Sequence, residues 1–215
     1  MLKVLVGCEY SGVVREAFRS IGHDAYSCDL LPADDNSDYH LQCDIKEAIT
    51  SRSWDLIILH PPCTALAVSG NAHYGDGKPK SHMRAEAIEW TTWLWSFAKQ
   101  HCNHVALENP VGVLSKCIGR PSYVQPFEHG HSETKKTGLW LHNLPKLVPT
   151  KVMELPERGY WDNCTPSGQN NLAPSADRWK IRSKTYEGIA KAMADQWSSH
   201  VKDSKSERER AITTS

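Results

Sequence analysis

Two short segments carry side chains that could do covalent chemistry. Cys63 follows Pro61 and Pro62 at the end of an apolar run, and Glu108 and Asn109 follow a second apolar run. A cysteine thiolate can form a covalent intermediate with a substrate. A single cysteine is more often a small buried hydrophobe, so Cys63 alone would be weak evidence. The carboxylate and amide of the second segment favour the interpretation of Cys63 as a nucleophile.

The elements around these segments predict where the side chains lie. Each apolar run, 56–59 and 105–107, is short and stops at prolines, which cannot donate to a strand ladder. One helix-length segment separates the two runs, the spacing of a βαβ crossover. Because ligands of open parallel sheets bind beyond the carboxyl ends of the strands, both segments should meet at that edge.

These residues resemble a known family. The motifs are Pro61-Pro62-Cys63 with Ser69-Gly70, and Glu108-Asn109-Pro110. Together they are similar to the DNA cytosine-5 methyltransferases, over most of residues 2–197. The resemblance implies an α/β fold: a Rossmann-like class I S-adenosylmethionine-dependent methyltransferase, with a mostly parallel sheet and helices on both faces.

The resemblance also implies roles at the catalytic centre. Cys63, held by Pro62, would add to carbon 6 of cytosine, and Glu108 in its acid form would protonate ring nitrogen 3. Asn109 would orient Glu108 or the edge of the base. The group transferred to carbon 5 is a methyl or a related one-carbon-derived group, and its donor is S-adenosylmethionine or a derivative.

A donor site is predicted at the ends of the first three strands. Ser11 and Gly12 begin a helix whose free N–H groups suit a carboxylate or phosphate. Asp29 follows Gly12 at roughly the spacing of an acid that binds ribose, or it caps a turn. Asp44, by resemblance, binds the adenine amino group, or it caps a short helix. The predicted donor site comprises Glu9, Tyr10, Ser11, Gly12, Asp29, Leu30, Asp44, Ile45, Pro61 and Tyr186.

The substrate side is predicted from two loops. Residues 69–80 are rich in glycine and lysine, as in a lid over a polyanion, although a solvated surface loop has the same composition. Residues 131–136 occupy the region where the family has a glutamine-and-arginine motif; lysine cannot make the bidentate contacts of arginine. No metal site is predicted. The predicted substrate-binding residues are Ser69, Asn71, Lys78, Lys80, His131, Lys135 and Lys136.

The domain organisation predicted for the 215 residues is simple. Residues 1–200 form a single catalytic domain, and the charged, serine-rich segment 201–215 is expected to be disordered. A loop-rich insertion at 143–178 stands where sequence-specific family members have a large target-recognition domain. The chain therefore lacks base-sequence readout, or it borrows readout from a protein partner.

Composition excludes several function classes. The 25 basic and 25 acidic residues give no global basic field for non-specific DNA binding. The seven cysteines include no Cys-x-x-Cys pair, which argues against a zinc ribbon and favours a reducing, cytoplasmic location. No apolar run is long enough for a membrane span, and no signal-peptide pattern precedes the first strand.

The predicted function is the transfer of a one-carbon group to carbon 5 of cytosine in DNA. Two alternatives stay open. The chain could modify cytosine in free nucleotides, since these need no recognition domain. It could also be a catalytically inactive nucleic-acid-binding or partner-dependent relative. The sequence predicts no oligomeric state.

Overall fold

A computed structural model describes residues 1–166, 170–173, 175 and 178–213. Their strands form one sheet in the order β3-β2-β1-β4-β5-β7-β6. Strands β1 to β5 pair in parallel, whereas β7 is antiparallel to both β5 and β6. The strands are β1 (Lys3–Gly7), β2 (Asp24–Asp29), β3 (His40–Gln42), β4 (Leu56–Leu59), β5 (Val105–Pro110), β6 (Ser122–Val124) and β7 (Thr137–His142).

Helices cover both faces of this sheet. They are α1 (Val13–Ser20), α2 (Ile45–Thr50), α3 (Asn71–Tyr74), α4 (Ser81–His101), α5 (Arg178–Ser183) and α6 (Glu187–Thr213). Short 3-10 helices lie at Val68–Gly70, Val113–Lys116 and Pro126–Glu128. The mostly parallel sheet with helices on both faces confirms the predicted fold class.

Side-chain alternation along the central strands produces two hydrophobic cores. On β1, Val4 and Val6 face one core with Phe18 of α1 and Trp197 of α6. Leu5 faces the other way, into a core that α2 and α4 complete. Because the central strands are buried on both faces, the free polar groups of the sheet concentrate at its strand ends.

The C-terminal segment differs from the expected disordered tail. Helix α6 continues without a break to Thr213. Val201 is fully buried in the core that α1 and α6 share, and Lys205 forms an ion pair with Asp55 at 2.7 Å. The composition of this segment alone indicates disorder. The buried Val201 and the ion pair of Lys205 with Asp55, directly before β4, hold it in the fold.

The loop-rich insertion predicted at 143–178 extends from the end of β7 to the first residue of α5. Between β7 and α5, the described residues form no helix or strand, only isolated bridges such as Cys164 with Asn170. The predicted lid at 69–80 begins with a 3-10 helix and α3 rather than with an extended loop. No helix within the described ranges is long and apolar enough to cross a bilayer.

Candidate active site

A tight turn fixes the backbone of Cys63. Strand β4 ends one residue before His60, and Pro61 and Pro62 then turn the chain. The carbonyl of Cys63 accepts hydrogen bonds from the backbone N–H groups of Leu66 and Ala67, at 3.0 and 2.9 Å. The thiol therefore projects from a turn that is closed on its C-terminal side.

Side chains from two other elements anchor this turn. Asn109 at the end of β5 donates from Nδ2 to the carbonyl of Pro61 at 2.9 Å. Arg84 at the start of α4 donates from Nε to the carbonyl of Ala65 at 2.7 Å. Asn109 was expected to orient Glu108 or the base; its amide instead holds the turn that carries the cysteine. Its Oδ1 is buried and has no hydrogen-bond partner among the described residues.

One pocket lies at the carboxyl ends of β1, β4 and β5 and against α5. It brings together predicted residues from four parts of the chain: Glu9, Tyr10, Ser11, Pro61, Pro62, Cys63, Glu108 and Lys135. It also contains Pro110 of the second motif and residues that the sequence did not single out: Cys8, His60, Arg182, Ser183 and Thr185. The predicted nucleophile and the predicted acid thus share a pocket with the turn that follows β1.

Glu108 is paired with His60 inside this pocket. His60 Nδ1 lies 3.1 Å from Oε2 of Glu108, and the two side chains are only 9% and 16% exposed. Burial by itself would raise the pKa of Glu108, but the hydrogen bond and charge of His60, with the charge of Lys135, outweigh it and lower that pKa. The resting form of Glu108 is therefore the carboxylate, whereas the family resemblance led us to expect the acid.

The thiol of Cys63 has the opposite tendency. Burial and then the negative charge of Glu108 raise the pKa of Cys63, while the positive charges of Lys135 and Arg182 reduce this effect. The pKa is raised overall, so Cys63 rests as a thiol at neutral pH. The pocket thus holds a protonated nucleophile and an ionised carboxylate.

Lys135 links the loop before β7 to the end of α5. Its Nζ donates to the carbonyls of Arg182 and Lys184, at 2.7 and 3.3 Å, at the C-terminus of α5. The hydroxyl of Tyr10 lies 2.9 Å from Oγ of Ser183 and ties the same segment to the turn after β1. These contacts hold α5 against the pocket that Lys135 lines, and substrate binding by Lys135 stays a prediction.

Glu9 stabilises the start of α1. Its carboxylate accepts hydrogen bonds from the backbone N–H groups of Val14 at 2.7 Å and Arg15 at 3.2 Å, and from the Ser11 hydroxyl at 3.4 Å. Burial raises the pKa of Glu9 in spite of these bonds and of the nearby His60. Gly12, the N-cap of α1, has φ of 72°, a left-handed conformation that favours glycine. The turn after β1 is thus held internally.

Asp29 caps a turn and Asp44 caps the start of α2, which were the alternatives to donor binding for these two residues. Asp29 Oδ1 accepts from the N–H of Leu31 at 3.0 Å, and Asp44 Oδ1 accepts from that of Lys46 at 2.8 Å. Both carboxylates also affect the thiol of Cys8. Burial, and then the negative charges of Asp29 and Asp44, raise the pKa of Cys8 to about 12. The pairing of Gly7 with Cys28 places the next residues along, Cys8 and Asp29, side by side at the end of β1.

The apolar neighbours of these acids differ from each other. Leu30 is 72% exposed directly after Asp29, which leaves an apolar surface beside a carboxylate. Ile45 is buried beneath Gly7, where an added Cβ would lie 2.3 Å from its Cδ1. Leu30 therefore presents an apolar surface to solvent, whereas Ile45 belongs to the core.

Several predicted residues lie outside the pocket. His131 accepts from the N–H of Gly188 at 3.0 Å, and Tyr186 donates a short hydrogen bond to Glu133, so both hold the start of α6. Lys136 lies over the ring of Tyr123, 4.3 Å from its centroid. The remaining predicted substrate residues are exposed on or after the Cys63 loop: Ser69, Asn71, Lys78 and Lys80.

His60 is the main site residue that sequence reasoning missed. A polar residue at the end of a buried strand, directly before the proline pair, was its only signal. The pairing of Leu59 with Leu107 places the next residues along, His60 and Glu108, side by side. That register is a property of the folded sheet and was not available from the sequence.

Comparison with known proteins supports the fold. No model of a known protein family matches this chain, and no curated protein matches its sequence. Among solved structures, the methyltransferase EhMeth of Entamoeba histolytica superposes with a TM-score of 0.51 and 14% sequence identity over 71% of this chain. The match covers 58% of EhMeth, so this chain spans little more than half the length of that protein.

Two further solved structures have lower TM-scores. A DNA modification methyltransferase of an E. coli prophage and the Dnmt2 methyltransferase of S. pombe give TM-scores of 0.46 and 0.45, with 13% and 15% identity. Each match covers 72% of this chain and 53% of the other protein. The sheet order and the likeness to EhMeth confirm, at the level of the fold, the predicted resemblance to class I methyltransferases.

Proposed function

We propose that this chain, which has the class I methyltransferase fold, transfers a methyl or related one-carbon-derived group to carbon 5 of cytosine in DNA. The observation that carries the proposal is the shared pocket of Cys63 and Glu108, at the ends of neighbouring parallel strands. A thiol and a carboxylate at one point suit nucleophilic addition coupled to proton transfer. In a duplex the cytosine must be flipped out of the stack to reach such a pocket.

The protonation states suggest how the first step balances. The Cys63 sulfur bonds to carbon 6 as the S–H bond breaks, and Glu108 accepts that proton. Glu108 then gives the proton to ring nitrogen 3, which neutralises the adduct and makes carbon 5 electron-rich. After transfer to carbon 5, water takes the carbon 5 proton and the bond between carbon 6 and sulfur breaks by β-elimination. Glu108 takes the proton back from ring nitrogen 3 and returns it to the Cys63 sulfur. Glu108 enters as a carboxylate and leaves as one, so no outside acid is needed.

The donor we infer is S-adenosylmethionine or a derivative, which supplies an electrophilic carbon when bound. The residues that fit it are Asp29, Asp44 and the exposed Leu30 for the nucleoside, and Ser11 and Gly12 for its charged end. Acid pairs that accept from ribose and base groups are typical of nucleotide sites in such sheets.

Replacement of Asp29 tests this donor site. We expect Asp29→Ala to weaken binding of S-adenosylhomocysteine by about 1.5–3 kcal/mol, because a charged hydrogen-bond acceptor is lost. Isothermal titration calorimetry measures the change. Asp38→Ala, an exposed acid in the same loop, is the matched control and should bind normally. Equal affinities of the two variants would return Asp29 to a purely capping role.

The exposed lysines of the Cys63 loop provide a test for DNA. Lysine on a loop meets phosphates rather than base edges, so it sets affinity and not sequence preference. A plot of log affinity against log salt concentration has a negative slope. We expect Lys78→Ala with Lys80→Ala to make this slope less negative by about two. Fluorescence anisotropy with a labelled duplex measures it. Lys191→Ala with Lys202→Ala, on α6, should leave the slope unchanged; equal slopes for both pairs would exclude this loop from the interface.

The function itself is tested by a transfer assay on the purified chain. Labelled S-adenosylmethionine is offered with cytosine-containing DNA or with deoxycytidine triphosphate, and mass spectrometry identifies the product nucleoside. Modified deoxycytidine in DNA supports the proposal. Transfer only to the nucleotide would support the alternative that the chain modifies free nucleotides, which need no large recognition domain in place of the insertion at 143–178. Binding of DNA without transfer would indicate an inactive or partner-dependent protein.

A further inference from the structure

His60 occupies a position that the proposed reaction has not yet used. It follows the last residue of β4, and Glu108 lies beside it on β5. The contact of 3.1 Å joins Nδ1 to Oε2 only. No described residue donates a hydrogen bond to Oε1 of Glu108, and this oxygen is not buried. One carboxylate oxygen is thus held by His60, and the other is left for the pocket.

The other ring nitrogen of His60 has a different environment. Its Nε2 is buried and lacks a hydrogen-bond partner within the described part of the chain. The charged and titratable groups around the imidazole are Glu9 and Cys8 from the turn after β1, Cys63, Glu108, and Lys135 and Arg182. Two carboxylates, Glu9 and Glu108, therefore share this pocket with the histidine, and of the described residues only Glu108 is hydrogen-bonded to it.

We propose that His60 is a positioning residue for Glu108: it donates from Nδ1 to Oε2, fixes the carboxyl group and directs Oε1 towards the reacting base. The inference rests on the proposed function and deepens it. A carboxyl group with one oxygen anchored loses rotational freedom before substrate binds, which is what efficient proton transfer requires. The histidine also offsets the cost of a buried negative charge next to Cys63.

Removal of His60 has a predictable electrostatic consequence. Burial would then act on Glu108 without the opposing hydrogen bond and charge of His60, so the pKa of Glu108 should rise. At acidic pH a larger fraction of Glu108 is then protonated and unable to accept the thiol proton. Loss of the anchored carboxyl geometry slows transfer in addition.

Two variants separate anchoring from mere packing. His60→Leu removes the donor, whereas His60→Asn keeps an N–H group near the position of Nδ1. We expect His60→Leu to lower kcat by about 10²-fold with little change in KM for DNA, and His60→Asn to recover most of the rate. His104, a buried histidine at the other end of these strands that bonds the carbonyl of Asp55, provides the control His104→Leu.

Direct titration of the Glu108 carboxyl group gives a readout that needs neither DNA nor donor. The ¹³C chemical shift of this carboxyl in glutamate-labelled protein, assigned by its loss in Glu108→Gln, is measured against pH. We expect the midpoint to move to higher pH in His60→Leu, because the pKa of Glu108 rises, and to stay in place in His104→Leu. An unchanged midpoint in folded His60→Leu, or transfer by His60→Asn no faster than by His60→Leu, overturns the role of His60.

A further comparison keeps the inference testable if His60→Leu fails to fold. Glutamine carries its N–H group nearer to Nε2 than to Nδ1, so His60→Gln should transfer more slowly than His60→Asn; equal rates overturn the proposal. The two hypotheses fail separately. A midpoint shift in a protein without transfer activity contradicts only the proposed function, whereas transfer without a shift contradicts only the role of His60.

Discussion

Replacing Cys63 with serine should abolish group transfer while leaving the fold and donor binding intact. A serine hydroxyl ionises far less readily than a thiol, and Glu108 as a carboxylate is too weak a base to take its proton. Loss of a covalent nucleophile typically costs about 10⁴–10⁶-fold in rate, which is beyond most transfer assays. The measurement is incorporation of label from S-adenosylmethionine into DNA at enzyme excess.

The matched control for this variant is Cys117→Ser. Cys117 is an exposed free cysteine outside the pocket, and its replacement should leave the rate unchanged. Calorimetry with S-adenosylhomocysteine should give the same affinity for both variants. Substantial turnover by Cys63→Ser would remove Cys63 from the nucleophile role, and the proposed covalent mechanism with it.

Glu108→Gln should show two effects of opposite sign. Transfer falls by about 10²–10⁴-fold, because glutamine cannot carry the proton from the thiol to ring nitrogen 3. Alkylation of Cys63 becomes faster at neutral pH, because the negative charge that raises the pKa of Cys63 is gone. The thiolate then forms at lower pH, and its somewhat weaker nucleophilicity offsets the gain only in part.

The pair of measurements makes this prediction strict. Transfer and alkylation are followed on the same preparation, with Glu86→Gln on α4 as the control in which neither should change. A general loss of folding would lower transfer and expose every cysteine, so the alkylation of Cys28, which is fully buried, serves as an internal reference. Alkylation of Cys63 that stays equal or slows would contradict the electrostatic account of the pocket.

The sequence alone was sufficient for the positions of Cys63 and Glu108 along the sheet. Each follows a short apolar run that prolines terminate, and the spacing between the runs requires a parallel crossover. Both side chains must therefore reach the same edge, and the structure confirms that they line one pocket. The helices on both faces follow likewise from central strands that are apolar on both sides.

The partners of these side chains were decided by tertiary structure. His60 meets Glu108 because of the register between β4 and β5, which a one-residue shift would destroy. The sequence predicts Lys135 as a substrate contact. In the fold its Nζ donates to the carbonyl of Arg182 at the end of α5, more than forty residues further along. Asn109 bonds to the turn of Cys63 across the same strand pair.

Helix α6 shows the same division between local and distant information. Its first half has the apolar spacing of a helix, with Ile189, Met193 and Trp197 on one face. Beyond residue 201 the composition is charged, and local propensity indicates disorder. In the continued helix, Val201 nevertheless packs into the core, and Lys205 forms an ion pair with Asp55. Apolar periodicity and proline stops are local properties, which a sequence carries directly; hydrogen-bond and ion-pair partners depend on which distant segments the folded sheet brings together.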